Sequence, residues 1–210
     1  MSSVAIIVPY RNRKSHLVSF QSHMFTYLSG IDYHIHVIEQ CDEKPFNRGK
    51  LLNIGFVLSK DTSEYVVFHD VDMLPIEADY SRSRAATHIA TRCSQFNYAM
   101  PYPTYFGGVT IFEKAAFEKI NGYSNDYWGW GAEDDDLMSR CVSHGISIDR
   151  RQCEFLSLHH SRVVKKEEYD ANVSLLHRKE KTDSGLSNLE YCLKEKIPSG
   201  LNTTFYKVVL

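Results

Sequence analysis

Residues 4–8 form an unbroken apolar run, Val4-Ala5-Ile6-Ile7-Val8, closed by Pro9. A run so short and continuous reads as a strand buried on both faces of a sheet, and therefore central. Arg11, Asn12 and Arg13 follow, and apolar positions then recur at Leu17, Phe20, Met24 and Tyr27 or Leu28, the spacing of a helix that stops near Gly30. Residues 33–39 alternate through His34, Ile35, His36, Val37 and Ile38 as a second strand, and 46–58 return to helical spacing. Residues 65–68, Tyr65-Val66-Val67-Phe68, make a third strand that runs directly into His69, Asp70, Val71 and Asp72. This series predicts an α/β fold with a mostly parallel central sheet, and such sheets bind ligands at the carboxyl ends of their strands. Arg11 and Arg13, Asn47 and Arg48, and the Asp70-Val71-Asp72 triplet all fall at such ends.

The second half is patterned less evenly. Residues 76–100 support only a connecting segment and one strand near His88, Ile89 and Ala90. Tyr102, Tyr105, Gly107 and Gly108 then lead into a strand at 109–112 and a short helix at 114–120. The paired glycines admit either close approach of a ligand to the backbone or a plain bulge. Beyond 127–136, Leu137, Met138 and Cys141 continue a helical face to a stop at Gly145. Short strands are expected at 146–148 and 155–158, the second ending in His159, His160, Ser161 and Arg162. From Lys165 the chain turns polar, with a last strand at 205–209 and the expectation that this segment packs as a cap.

At 210 residues the chain holds one domain, expected to span 1–210. A net charge of -2 gives no reason to expect nucleic acid or an anionic membrane as a partner. No apolar run reaches the length of a transmembrane segment, and the first residues lack the basic and long apolar regions of a signal peptide. The five cysteines are scattered, without a C-x-x-C pair, which fits reduced thiols better than a disulfide framework. Together these features predict a cytoplasmic protein, the alternative being a trimmed luminal domain. The sequons at Asn172 and Asn202 matter only in a secreted chain.

Residues 127–136 carry the chemistry. They set the only two tryptophans, Trp128 and Trp130, with Gly129 and Gly131, against Glu133, Asp134, Asp135 and Asp136. Aromatic faces stack on sugar rings while carboxylates accept hydrogen bonds from hydroxyls, and one carboxylate can take a proton. The plainer alternative is a helix start whose acids complement the macrodipole. That dipole is also expected to keep the carboxylates ionised near neutrality. Asp70 and Asp72 at a strand end suit a divalent cation and a ligand hydroxyl, with His160 a reasonable imidazole partner. No dinucleotide fingerprint or P-loop occurs.

In combination the motifs resemble the β-1,4-galactosyltransferase family. The matching residues lie at 4–13, 46–48, 50–53, 68–75, 105–109, 121–122, 127–136 and 160–162, with 184–189 and Tyr191 resembling the C-terminal segment. The resemblance implies a nucleotide-sugar-binding fold of the GT-A type and an inverting, metal-dependent galactosyltransferase that forms a β-1,4 linkage. It implies that Pro9, Tyr10, Arg11, Arg13, Phe46, Arg48, Asp70, Val71, Tyr105, Gly108 and Trp130 hold UDP-galactose. Tyr102, Trp130, Gly131, Asp134 and Asp135 would hold a saccharide or glycoside acceptor. Asp134 would be the base with Glu133 beside it, and Asp72 and His160 would bind Mn2+, with Mg2+ a possible substitute.

Two departures stand out. Ala132 replaces a family glycine, and Ser157 stands where many members carry a methionine metal ligand, leaving Ser157, His159 or water as the third ligand. Competing readings are transfer of N-acetylgalactosamine, a metal-dependent hydrolase that splits the nucleotide sugar, and a non-catalytic sugar-binding module. The diphosphate clamp counts against the last.

Overall fold

A computed structural model describes residues 3–161, 164–178 and 183–210, so Arg162 of the histidine motif lies outside the described residues. The chain runs β1 (Val4–Tyr10), α1 (Lys14–Tyr27), β2 (Tyr33–Gln40), α2 (Arg48–Ser59), β3 (Tyr65–His69), β4 (Met73–Glu77), β5 (Ala86–His88) and β6 (Arg92–Cys93). It continues through β7 (Val109–Glu113), α3 (Lys114–Lys119), α4 (Glu133–Ser143), β8 (Ile148–Arg150), β9 (Glu154–Ser157), α5 (Lys166–Leu176), β10 (Cys192–Ser199) and β11 (Thr203–Val209). Eight strands form one sheet in the order β10-β11-β2-β1-β3-β7-β5-β8, and β4-β9-β6 form a small second sheet. Pairing is parallel from β11 through β2 and β1 to β3, while β7 runs antiparallel between β3 and β5.

The apolar run becomes the middle of this sheet because both of its faces are covered. Val4, Ile6 and Val8 pack with Leu17, Phe20 and Met24 of α1, whereas Ala5 and Ile7 face Leu51, Leu52 and Phe56 on the side of α2. A Cβ at Gly55 would collide with the Ile7 side chain, so this glycine lets α2 lie close against the sheet. Asn47 caps α2 by accepting from the Lys50 N–H at 2.9 Å, and it starts the helix two residues later than the spacing predicts. That start sets Arg48 at the first helical position, facing the strand ends.

Several expectations need correction. Residues 76–100 hold the end of the strand Met73–Glu77, strands at Ala86–His88 and Arg92–Cys93 and a 3-10 turn at Ser94–Phe96, not one strand at 88–90. The strand expected at 146–148 begins at Ile148, and the one expected at 155–158 ends at Ser157. The polar segment after Lys165 contains α5 and the edge strand β10, neither of which the spacing predicts. All five cysteines are free, with Cys93, Cys141 and Cys153 buried and Cys41 and Cys192 exposed. Among the described residues no helix is long and apolar enough to cross a membrane.

Candidate active site

The carboxyl ends of β1 and β3 and the N-terminal ends of α2 and α4 converge on one cavity of about 630 Å³. Of the donor, acceptor and metal residues expected from the sequence, all but Tyr10 line it. Tyr10 is 7% exposed because strand alternation turns it into the α1-side core, where its hydroxyl accepts from the Arg13 N–H at 3.2 Å. Its place is beneath the basic loop, in support of it. Arg11 donates to the Lys44 carbonyl at 2.7 Å and lies over the Phe46 ring, with 5.3 Å from the guanidinium carbon to the centroid.

Arg48 organises the interior. Its Nε donates to Asp70 at 2.6 Å and its Nη1 to Asp134 at 2.7 Å, with Glu133 at 3.7 Å. The guanidinium therefore ties the end of β3 to the start of α4. Burial pushes the Asp134 carboxyl well above the usual carboxylate range, Arg48 pulls it back, and Glu133 and Asp70 push it up again. Glu133 is likewise raised, by burial first. The helix dipole is expected to keep these acids ionised, but at Glu133 and Asp134 the removal of the carboxylates from water works against it. What opposes protonation is chiefly the charge on Arg48.

The other acids divide by helical position. Asp135 accepts from the Tyr102 hydroxyl at 3.1 Å on the cavity wall. Asp136 is 2% exposed and paired with Arg140 Nε at 2.7 Å, so it is a structural residue. Gly107 sets the spacing between Asp134 and Tyr105, since a Cβ there would meet Asp134 Oδ2 at 2.6 Å and the Tyr105 ring at 2.8 Å. Gly108, at φ +82, sends its carbonyl to the Asp70 N–H at 3.0 Å. The paired glycines, expected either to admit a ligand or to form a bulge, here let the protein's own side chains pack closely at the site.

Asp72 and His160 meet directly, with Oδ2 2.8 Å from Nε2. Burial and the neighbouring Asp70 raise the Asp72 carboxyl, and His160 lowers it. A desolvated carboxylate touching an imidazole on a cavity wall is a mixed oxygen and nitrogen donor pair able to hold a divalent cation. Among the described residues no three His, Cys, Asp or Glu side chains gather closely enough to hold a metal unaided. Ser157 directs its hydroxyl to the Met73 sulfur at 3.4 Å, and exposed His159 does not line the cavity.

The roof comes from α5, which sequence spacing missed. Asn172 donates to the carbonyls of Trp128 and Trp130 at 3.0 and 3.4 Å, and the Trp130 indole stacks on Tyr169 with centroids 5.6 Å apart. Tyr169, Val173, Leu176 and His177 line the cavity beside Trp130, and Gln95 and Phe96 enter from the 3-10 turn. The sequence signal for this helix was the weak one of a polar segment expected to cap the domain.

Fold and site define a glycosyltransferase of the GT-A type. The chain superimposes on the catalytic domain of Drosophila β1,4-galactosyltransferase 7 in complex with xylobiose at TM-score 0.85 and 27% identity, covering 100% of this chain and 94% of that one. A mutant of that enzyme, complexed with manganese, UDP-Gal and xylobiose, matches at TM-score 0.82 and 25% identity over the same shares. Residues 1–82 match the profile of the N-terminal region of glycosyl transferase group 7, and 87–164 that of the N-terminal domain of galactosyltransferase. The chain belongs to the β-1,4-galactosyltransferase family. It is 37% identical over 206 residues to β-1,4-galactosyltransferase 4 of Rattus norvegicus, covering 92% of this chain and 59% of that relative. It is 40% identical over 202 residues to β-1,4-galactosyltransferase 1 of Homo sapiens, covering 90% and 50%. The chain therefore spans between half and three-fifths of the length of these curated relatives.

Proposed function

We propose that residues 1–210 form a single catalytic domain that moves galactose from UDP-galactose to a hydroxyl of a saccharide or glycoside acceptor, with inversion, to give a β-1,4 linkage. The observation that carries this reading is the position of Arg48, which bonds Asp70 at a strand end and Asp134 at a helix start within one cavity. The solved complex of a family member with manganese, UDP-Gal and xylobiose supports the choice of donor, metal and acceptor class.

In this reading Arg11, Arg13 and Phe46 hold the nucleotide end of the donor, Tyr105 flanks the sugar, and Trp130 covers it. Asp134 accepts the proton of the acceptor hydroxyl as that oxygen bonds to the anomeric carbon and the bond from that carbon to the diphosphate breaks. Burial gives it an elevated proton affinity, which suits a base, and the charge on Arg48 opposes its protonation before the acceptor arrives. Asp135 and Tyr102 orient the acceptor. Asp72 and His160 would hold Mn2+, or Mg2+ in its place, which as a Lewis acid neutralises charge on the departing diphosphate.

The test is product analysis with purified protein, UDP-galactose and a panel of acceptors. Formation of a β-1,4-linked galactoside is the expected result. Release of free galactose at the same rate with and without acceptor would identify a hydrolase, and binding without turnover a sugar-binding module. Asp134→Asn should lower turnover by about 100-fold or more while leaving UDP-galactose affinity within a few fold, as removal of a positioned base does.

A further inference from the structure

Tyr105 and Gly107 shape one wall of the site, and a single buried side chain behind that wall touches both of them. His88 ends β5, is fully buried and does not line the cavity. Its Nε2 donates to the Gly107 carbonyl at 2.8 Å, and its ring meets the Tyr105 ring in a T-shaped contact, with centroids 5.3 Å apart and planes at 81°. A carbonyl only accepts, so this bond fixes a proton on Nε2. Nδ1 is buried and meets no partner in the protein, which leaves the bond to Gly107 as the imidazole's polar contact.

Both contacts bear on the reacting geometry. A Cβ at Gly107 would meet Asp134 Oδ2 at 2.6 Å and the Tyr105 ring at 2.8 Å, so this residue stands between Asp134 and Tyr105. A shift of Gly107 therefore changes their separation. Three further hydrogen bonds hold residues 105–107, and all are longer. Two of them are local, from the Val109 N–H to the Gly107 carbonyl at 3.1 Å and from the Tyr105 N–H to the Tyr102 carbonyl at 3.1 Å. The third comes from Arg150, whose Nη2 reaches the Tyr105 carbonyl at 3.4 Å. His88 and Arg150 face one another across the parallel pair β5 and β8, so their side chains leave the same side of the sheet. Of these two tethers from distant segments, His88 makes the bond of ordinary length and Arg150 the stretched one.

We propose that His88 is a positioning residue for the transfer reaction, and that its two contacts act on different quantities. The bond to Gly107 sets the separation of Asp134 from Tyr105 and through it turnover, because small displacements of a reacting group cost rate steeply. The ring contact sets how far Tyr105 leans over the donor sugar and through it the preference between UDP-galactose and UDP-N-acetylgalactosamine, which a clash decides. The inference rests on the galactosyltransferase reading, in which Tyr105 flanks the sugar and Asp134 is the base.

Two substitutions in the whole chain separate the contacts. His88→Gln keeps an N–H able to reach the Gly107 carbonyl and removes the ring, whereas His88→Phe keeps a ring against Tyr105 and removes the donor. Both UDP-sugars are assayed with the best acceptor of the panel that tests the proposed function, and thermal melts check folding. His88→Phe should lower kcat with UDP-galactose by about tenfold and leave the kcat/KM ratio of the two donors within about twofold of wild type. His88→Gln should hold kcat within about threefold and shift that ratio toward the N-acetylated donor by about fivefold or more. A merely structural role lowers kcat in both variants alike and leaves the donor ratio unmoved; that outcome, or no change in either variant, would overturn the proposal. If His88→Phe does not fold, the donor ratio of His88→Gln decides, and an unchanged ratio overturns it. Wild-type protein that transfers neither sugar to any acceptor would defeat the catalytic reading itself, a result the wild-type assay shows before any variant is made.

Discussion

Replacing Arg48 with methionine removes one charge and keeps an unbranched stem beside Tyr123, over whose ring the guanidinium carbon now lies at 5.9 Å. The change leaves Asp70, Glu133 and Asp134 facing one another with no cation among them. At an effective dielectric near 20, opposite unit charges about 4 Å apart interact by about 4 kcal/mol. The side chains of Arg48 and Asp134 are 12% and 20% exposed, so solvent and relaxation reduce this to roughly 2 kcal/mol, or about 1.5 pH units for Asp134. The sign follows from burial, which already raises this carboxyl above its unfolded value. Such a group loses stability as pH rises through its folded pKa, and the variant, with a higher folded pKa, loses more. We therefore predict that the variant is about 2 kcal/mol less stable than wild type at pH 8 and that the gap narrows as the pH falls toward the ordinary carboxylate range. Urea denaturation across pH 5 to 8 measures the gap, and the acid limb of kcat/KM should move upward by roughly 1.5 units. A stability gap independent of pH, together with an unmoved acid limb, would refute the assignment of Arg48 as the group that holds Asp134 ionised.

Other expectations are more local. Ala132 has φ +73, a left-handed conformation that disfavours L-residues by about 1–2 kcal/mol, so Ala132→Gly should stabilise the fold by roughly 0.5–1 kcal/mol after glycine's added unfolded-state freedom; a thermal melt that falls instead would contradict this. Tyr105 is wedged among His88, Phe96 and Tyr102, with centroids 5.3–5.6 Å away, and Tyr105→Leu should raise turnover of UDP-N-acetylgalactosamine relative to UDP-galactose. An unchanged donor ratio would assign selectivity to other side chains. Chelation should abolish transfer and Mn2+ restore it, and Asp72→Ala or His160→Ala should raise the Mn2+ needed by more than tenfold; full activity in chelator would remove the metal from the scheme.

The sheet was legible where burial was two-sided and opaque where it was absent. Residues 4–8 announce β1 because every position is apolar, whereas all eight residues of β10 are exposed and its Lys194, Glu195, Lys196 and Pro198 carry no strand pattern. The same holds for α5, whose one fully buried residue is Asn172. At the site, residue pattern alone pointed to the strand-end arginines, Asp70, Asp72 and the acidic run. The individual roles came from the family resemblance. Neither source indicated that Tyr10 turns inward, that Asp136 is consumed by Arg140, or that Gly107 separates Asp134 from Tyr105, because each depends on packing between segments distant in sequence.

The hold of α5 on the roof has a consequence for engineering. Asn172 grips the loop through main-chain carbonyls of residues 128 and 130, so that anchor is indifferent to which side chain residue 130 carries. A library randomised at Trp130 and Tyr169, with Asn172 kept, would sample new surfaces over the cavity on a frame whose backbone stays fastened, which offers a route to altered substrate scope that leaves Asp134 and Arg48 untouched.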